Sequence, residues 1–149
     1  MVKTILTWAS RVVLAGVFLY GGYTKLQAEL QFASAIAGYR LLPDKLILPV
    51  ATYLPWLEII LGLLLLTGWY SRVVAGFAGA LLAFFIIIMA ITYFRGIEAD
   101  CGCFGVGERI SPLTIARDSL FLIPAIFLVL EPRFRRPQET VPETLKSDY

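Results

Sequence analysis

A run of 22 residues without a charged side chain, residues 73–94, most constrains how this chain can fold. A stretch of about 18 or more apolar residues is long enough to cross the hydrocarbon core of a bilayer as a helix. The whole chain shares this character, since 58% of its residues are hydrophobic and 16% are charged. Soluble domains average about 45–50% apolar and about 25% charged residues. The sequence therefore predicts an integral membrane protein.

The hydropathy pattern predicts four transmembrane helices, over residues 4–23, 45–67, 72–94 and 112–130. Pro112 suits the first turn of the last helix, with Ser111 as its candidate cap. Residues 27–39 predict an amphipathic helix at the membrane interface. The expected fold class is an all-α membrane protein, a four-helix bundle with an extracytoplasmic Cys-Gly-Cys loop. This domain covers residues 1–130, and residues 131–149 form an extended cytoplasmic tail.

An even number of spans places both chain ends on the same side of the membrane. Lys and Arg are slightly more numerous on that side, mainly through Arg133, Arg135 and Arg136. The positive-inside rule therefore predicts cytoplasmic termini in a multi-pass protein of the bacterial inner membrane. The loop over residues 95–111 then faces the oxidising side of that membrane, where disulfides persist.

Charge and composition exclude several classes of function. The net charge of +2 is too small, and the charges too dispersed, to indicate nucleic-acid binding. The chain has no histidine, which excludes histidine-ligated haem and histidine acid–base catalysis by this chain alone. Its two cysteines are too few for a zinc or iron–sulfur site, which usually takes four protein ligands. We therefore expect no metal site.

The two cysteines lie together in a glycine-rich loop, as Cys101-Gly102-Cys103. One interpretation is a pair of unreactive thiols or a structural disulfide. The other is a redox-active pair, because a bridge between residues i and i+2 closes a small ring, and distorted geometry makes a disulfide easier to reduce. Gly102 favours the tight bend because it lacks a Cβ. Spacing alone leaves both interpretations open.

Two cations are candidates for stabilising a thiolate in this loop. Lys25 ends the first predicted helix on the side of the loop, although a lysine there also suits a snorkelling side chain at the membrane surface. Arg117 lies inside the fourth predicted span, where ionisable residues usually face the bundle interior. Its neighbour Asp118 points about 100° away around the helix, so the pattern does not require the two to pair.

Arg11 and Glu58 form a second polar pair within the predicted spans. Their distances from the cytoplasmic helix ends would allow them to meet inside the bundle. An ion pair that orders two helices is one interpretation. The other is a proton-transfer or quinone-binding site, which makes Arg11 and Glu58 the candidate cofactor-binding residues.

The order of several short motifs resembles the DoxX-like membrane proteins, and specifically their MauE (methylamine-utilisation) branch. The resemblance covers all four predicted spans. It rests on Arg11, Gly16-Val17-Phe18, Gly21-Gly22-Tyr23-Thr24-Lys25-Leu26, Phe32, Tyr39-Arg40-Leu41-Leu42-Pro43, Leu54-Pro55-Trp56-Leu57-Glu58, Gly62, Asp100-Cys101-Gly102-Cys103-Phe104-Gly105 and Arg117-Asp118.

This resemblance implies a redox-associated four-helix bundle that assists maturation of disulfide-containing periplasmic proteins or associates with quinone-linked electron transfer. Cys101 and Cys103 would be the catalytic pair, with Arg117 or Lys25 stabilising the thiolate. A quinone is the candidate cofactor, and a periplasmic thiol or disulfide protein is the candidate partner beside membrane lipid. Membrane disulfide-generating quinone reductases use two cysteine pairs, whereas this chain has one. Enzymatic turnover is therefore left open.

The alternative function is a non-catalytic accessory subunit of a larger respiratory or photosynthetic electron-transfer complex. In that case the Cys101–Cys103 bridge would be a structural link, and the tail would dock on a neighbouring subunit. A transporter is a third interpretation, but the hydrophobic segments show no broken-helix repeat.

Overall fold

Helices make up nearly all of the described chain, which comprises residues 1–102 and 108–130 of a computed structural model. Cys103 and the tail over residues 131–149 lie outside the described residues. The helices are α1 (Val2–Gln27), α2 (Glu29–Gly38), α3 (Asp44–Thr67), α4 (Ser71–Phe94), α5 (Pro112–Leu120) and α6 (Leu122–Leu130).

Four helical stretches are long and apolar enough to cross a membrane: Val2–Gln27, Asp44–Thr67, Ser71–Phe94 and Pro112–Leu130. The prediction of an all-α, multi-pass membrane fold is thus confirmed for the described residues. Helix α2 confirms a separate helix within residues 27–39. Helix α1 is longer than predicted at both ends. At its C-terminal end, Lys25 is buried inside the helix and does not mark its boundary.

The fourth span differs from the prediction because it is interrupted at Phe121, between α5 and α6. There the Phe121 N–H donates to the Asp118 carbonyl oxygen at 3.1 Å, a three-residue turn instead of an α-helical one. Pro124 follows three residues later, and a proline removes one helical hydrogen bond and crowds the carbonyl of the residue four positions earlier, here Leu120. The proline therefore explains a break that hydropathy alone does not reveal.

Helices α1 and α3 pack closely because two glycines lie at their interface. A Cβ added to Gly22 would lie 2.8 Å from the Pro55 carbonyl oxygen, and one added to Gly62 would lie 2.7 Å from the Leu19 side chain. Small residues of this kind allow transmembrane helices to approach closely. The central core, which includes Leu14 and Leu65, lies between α1, α3, α4 and α6.

The antiparallel pair α1 and α3 is staggered. Gly22 faces Pro55, and the α3–α4 turn at Gly68 faces Arg11 near the start of α1. This register leaves the first two turns of α3 beyond the end of α1, a length of about 11 Å. Helix α2 packs on that extension, with Phe32 and Ile36 in one apolar cluster with Ala51. We call this end of the bundle, where Asp100–Gly102 also lies, the loop end.

Candidate functional site

Cys101 is buried at the loop end, with 1% of its surface exposed. The chain around it forms a short antiparallel pairing in which Asp100 bridges to Arg109. The Cys101 N–H donates to the Glu108 carbonyl oxygen at 2.6 Å. On the same ladder, the Ile110 N–H donates to the Ala99 carbonyl oxygen at 3.1 Å. These backbone bonds hold the cysteine inside the bundle and away from the aqueous phase.

Helix α2 covers the cysteine from the side. The Tyr39 hydroxyl donates to the Asp100 carbonyl oxygen at 3.0 Å and to the Cys101 carbonyl oxygen at 2.5 Å. Gly102 has a φ of +65°, a conformation that favours glycine. A Cβ there would also lie 3.5 Å from the Phe32 ring and 3.4 Å from the Tyr39 oxygen. The positive φ therefore favours glycine at this position, whereas the contacts of a Cβ with Phe32 and Tyr39 would be ordinary van der Waals contacts.

Among the described residues, the neighbours of the Cys101 sulfur are apolar side chains with Met89 on one side and a carboxylate on the other. Its Sγ lies 3.1 Å from Met89 Sδ, in a cluster with Phe85, Ile86, Ile110 and Ile115. On its other side Sγ lies 3.8 Å from Oδ2 of Asp118, which is fully buried. A thiol is a weak hydrogen-bond donor, and a carboxylate is its strongest acceptor among these neighbours.

Arg117 is brought to this site, but its guanidinium binds carboxylates. Its Nε donates to Asp118 Oδ1 at 3.0 Å, and its Nη1 donates to both carboxylate oxygens of Glu108 at 2.9 and 3.1 Å. Arg117 and Asp118 do pair, although they are sequence neighbours, because the long arginine side chain reaches back around α5. Its direct role in stabilising a thiolate stays a prediction.

Asp118 is the residue that sequence reasoning missed. The signal was present in the spacing, since Thr114 and Asp118 are four residues apart and both are buried on the inner face of α5. Ser111 fixes the start of that face, because its hydroxyl accepts from the Thr114 N–H at 3.2 Å and completes a capping box. The capped helix therefore sets the position of the buried carboxylate.

Lys25 and Glu58 form a second buried charged cluster, deeper in the bundle. Lys25 Nζ lies 2.6 Å from Glu58 Oε1 and 2.8 Å from Oε2, and the residues are 4% and 5% exposed. The ammonium also lies 5.3 Å from the ring centres of Phe32 and Phe85. Lys25 therefore does not snorkel, and its charge is directed to Glu58.

The predicted pairing of Arg11 with Glu58 is wrong. Arg11 instead donates from Nε to the Leu65 carbonyl oxygen at 3.0 Å and from Nη2 to that of Leu66 at 2.9 Å. These are carbonyls of the last turn of α3, which lack partners within their own helix. The stagger of α1 and α3 explains the error, because it brings Lys25 beside Glu58 and leaves Arg11 at the far end.

A cavity of about 20 Å³ adjoins the Lys25–Glu58 pair, between Phe18, Leu82 and Phe85. Such a volume holds about one water molecule. A second cavity, of about 10 Å³, is lined by Lys25 and also by Asp100 and Gly102. Phe85 belongs both to the first cavity and to the apolar cluster around Cys101. The two charged clusters are thus close neighbours, separated by aromatic rings.

Comparison with known proteins gives a consistent result. The family model for methylamine utilisation protein MauE matches residues 3–131. The MauE of Paracoccus denitrificans is 31% identical over 121 residues, which cover 79% of this chain and 65% of that protein. The MauE of Methylophilus methylotrophus is 36% identical over 101 residues, covering 67% and 53% of the two chains.

A third MauE, from Methylorubrum extorquens, is 31% identical over 131 residues, covering 86% of this chain and 70% of that protein. The chain therefore spans between about half and somewhat over two thirds of these relatives. No solved structure matches it. The wider relation to DoxX-like proteins stays a prediction.

Proposed function

Because the chain belongs to the MauE family of methylamine utilisation proteins, we propose that it is a membrane accessory protein that exchanges thiols and disulfides with a partner protein. The partner is a thiol or disulfide protein outside the cytoplasm. Cys101 and Cys103 are the redox pair. The burial of Cys101 beside the Arg117–Asp118 pair is the observation that carries this proposal.

The exchange conserves electrons and protons. A disulfide between Cys101 and Cys103 oxidises a partner dithiol, so the partner gains a disulfide and the two cysteines become thiols. The reverse exchange reduces a partner disulfide by the same route. Each cycle in the oxidising direction needs a two-electron acceptor that restores the Cys101–Cys103 disulfide.

A quinone is the candidate acceptor, and Glu58 with Lys25 lines a cavity that shares Phe85 with the apolar cluster around Cys101. The cavity has a volume of about 20 Å³, which accommodates a water molecule but is too small for a quinone ring. Quinone binding at Glu58 would therefore require α1 and α4 to separate. Arg11 donates to carbonyl oxygens in the last turn of α3 and does not contact Glu58, so a cofactor-binding role for Arg11 would be separate from a site at Glu58.

The orientation follows from the same proposal. Exchange with a partner outside the cytoplasm requires the loop end to face outward and the N-terminus to lie in the cytoplasm of the inner membrane. Labelling in intact cells with a membrane-impermeant maleimide, using single cysteines introduced in the two flanking turns, tests it. The proposal requires that a cysteine near Leu41, in the connection between α2 and α3, is labelled. A cysteine near Trp69, in the turn between α3 and α4, should be protected from the reagent.

The reduction potential of the Cys101–Cys103 couple tests the redox role. Purified protein in detergent is equilibrated in graded mixtures of reduced and oxidised dithiothreitol, and the oxidised fraction is read by thiol alkylation and mass spectrometry. We expect a potential above about −300 mV, the range of labile and catalytic disulfides. A lower value would indicate a structural bridge and favour the accessory-subunit alternative. The Cys103→Ser variant, which cannot form the bridge, is the control.

A further inference from the structure

We propose that Asp118 accepts the proton of the Cys101 thiol when that thiol attacks a disulfide. This inference rests on the proposed thiol–disulfide function and adds a catalytic residue to it. It is carried by the way the two carboxylate oxygens of Asp118 are used, by the burial of both residues, and by the closed environment of the sulfur.

The two oxygens of the Asp118 carboxylate have different neighbours. Oδ1 accepts from Arg117 Nε at 3.0 Å, whereas Oδ2 lies 3.8 Å from Cys101 Sγ. The first contact fixes the plane of the carboxylate. The second leaves an acceptor directed at the sulfur, at the long distance usual for a weak thiol donor and for a site without its substrate.

Burial makes an internal proton acceptor necessary. Cys101 is 1% exposed and Asp118 is fully buried, so bulk water does not reach the sulfur directly. Around the sulfur, Met89 and the apolar cluster with Ile110 and Ile115 disfavour a thiolate that waits for its substrate. The thiol must lose its proton as it reacts, and Asp118 is the carboxylate that contacts the sulfur.

The reaction step balances as follows. The Cys101 sulfur forms a bond to one sulfur of a disulfide, and the bond between the two disulfide sulfurs breaks. The electron pair of the broken bond leaves with the second sulfur as a thiolate, and the thiol proton moves to Asp118 Oδ2. Arg117 is a positioning residue, because it contacts the carboxylate and not the reacting atoms. Glu108 in turn holds Arg117 through two bonds to Nη1.

The experiment follows one thiol with one probe. In a Cys103→Ser background, purified protein in detergent reacts with dithiodipyridine, a small neutral disulfide, and the released pyridinethione is measured by absorbance. We expect Asp118→Asn to slow the reaction at pH 7 by roughly 100-fold, the lower end of the contribution of a general base. The slowed rate should rise with pH until hydroxide replaces the carboxylate.

Asp44→Asn is the matched control, since it makes the same chemical change at an exposed position of the loop end. It should leave the rate and its pH profile unchanged. An unchanged rate in Asp118→Asn overturns the proposal, because the carboxylate would then only anchor Arg117. A faster rate also overturns the proposal, because the effect of the carboxylate would then be only to disfavour the thiolate through its negative charge.

A measurement on the Cys103→Ser protein without further change covers the case in which Asp118→Asn fails to fold. If proton transfer to Asp118 accompanies the attack, the rate should fall in deuterated water at matched acidity. An absent isotope effect contradicts the proposal. The result is separable from the proposed function, because the reduction potential of the Cys101–Cys103 couple is an equilibrium property that does not depend on a base at Asp118.

Discussion

The bundle contains two buried charged clusters that differ in how completely their charges are matched. In the first, Lys25 and Glu58 contact each other through both carboxylate oxygens, and aromatic rings surround the ammonium. In the second, Arg117 joins the carboxylates of Glu108 and Asp118, and one oxygen of Asp118 lies near the Cys101 sulfur. The first cluster is closed, and the second is open toward a reactive group.

This difference separates two uses of buried charge. A buried ion pair costs desolvation that its own attraction only roughly offsets, so the Lys25–Glu58 pair by itself indicates helix register more than chemistry. The Lys25–Glu58 pair fixes the position of α1 along the axis of α3. The open cluster holds a carboxylate oxygen 3.8 Å from a thiol in an apolar surrounding, the kind of arrangement used for proton transfer. Both clusters contain buried charges, so burial does not distinguish the two uses. The neighbours of the carboxylate oxygens of Glu58 and Asp118 do distinguish them.

The largest effect should come from breaking the closed cluster. Glu58→Gln leaves the Lys25 ammonium buried without its counter-ion, and we expect a loss of about 3–5 kcal/mol in unfolding free energy. The double variant Lys25→Met with Glu58→Met removes both charges and should recover most of that loss. Reversible unfolding in mixed detergent micelles measures both, and the single variants Lys25→Met and Glu58→Met complete the double-mutant cycle. Additive losses would show that the two residues do not act as a pair.

Breaking the open cluster should cost less stability. Arg117→Met removes the guanidinium that binds Asp118, and hydrogen bonds to charged groups contribute about 1.5–3 kcal/mol. The value should lie toward the lower end because Arg117 is 35% exposed. The same unfolding assay measures it. A loss larger than that of Glu58→Gln would reverse the comparison between the two clusters.

A glycine next to the closed cluster tests the packing that aligns it. Gly22→Ala places a Cβ 2.8 Å from the Pro55 carbonyl oxygen and 3.3 Å from Glu58 Cβ. We expect a destabilisation of about 1–3 kcal/mol from this overpacking. Gly16→Ala is the control, since no atom lies within 4 Å of its added Cβ. That variant should instead gain about 0.5–1 kcal/mol. Equal effects at the two positions would refute the close α1–α3 contact.

The smallest effect should come from the cover of the open cluster. Tyr39→Phe removes the hydroxyl that donates to the Asp100 and Cys101 carbonyl oxygens, at a cost of about 0.5–1.5 kcal/mol. If this opens the loop locally, alkylation of Cys101 by a maleimide should accelerate about fivefold for each 1 kcal/mol lost. The Tyr53→Phe variant, at an exposed position of α3, is the control. An unchanged alkylation rate would show that α2 does not restrict access to the cysteine.

The fold was largely predictable from the sequence, because long apolar runs have few alternatives to spanning helices. What hydropathy does not contain is the relative height of neighbouring helices. The Arg11–Glu58 prediction assumed that the start of α1 and the end of α3 lie at the same level, whereas Gly22 faces Pro55 and Lys25 therefore meets Glu58. Register depends on which small residues interlock, and that information is spread over both helices.

The site was partly predictable for a different reason. The Cys101-Gly102-Cys103 motif and the intramembrane Arg117 have unusual composition for their positions, so they draw attention in a sequence. Asp118 lies in the same predicted span, but the sequence does not indicate which side chain it would contact. Only the inward face shared with Thr114 and the approach of Cys101 in three dimensions reveal its position.

The interruption at Phe121 also concerns how the protein meets membranes of different thickness. A continuous helix transmits a change of tilt along its whole length, whereas a break next to a proline lets two segments tilt separately. Helix α6 can then follow the hydrocarbon layer against Gly79 of α4. Helix α5 can keep Arg117 and Asp118 aligned with the loop end. The break at Phe121 thus separates the segment that packs against α4 from the segment that carries Arg117 and Asp118.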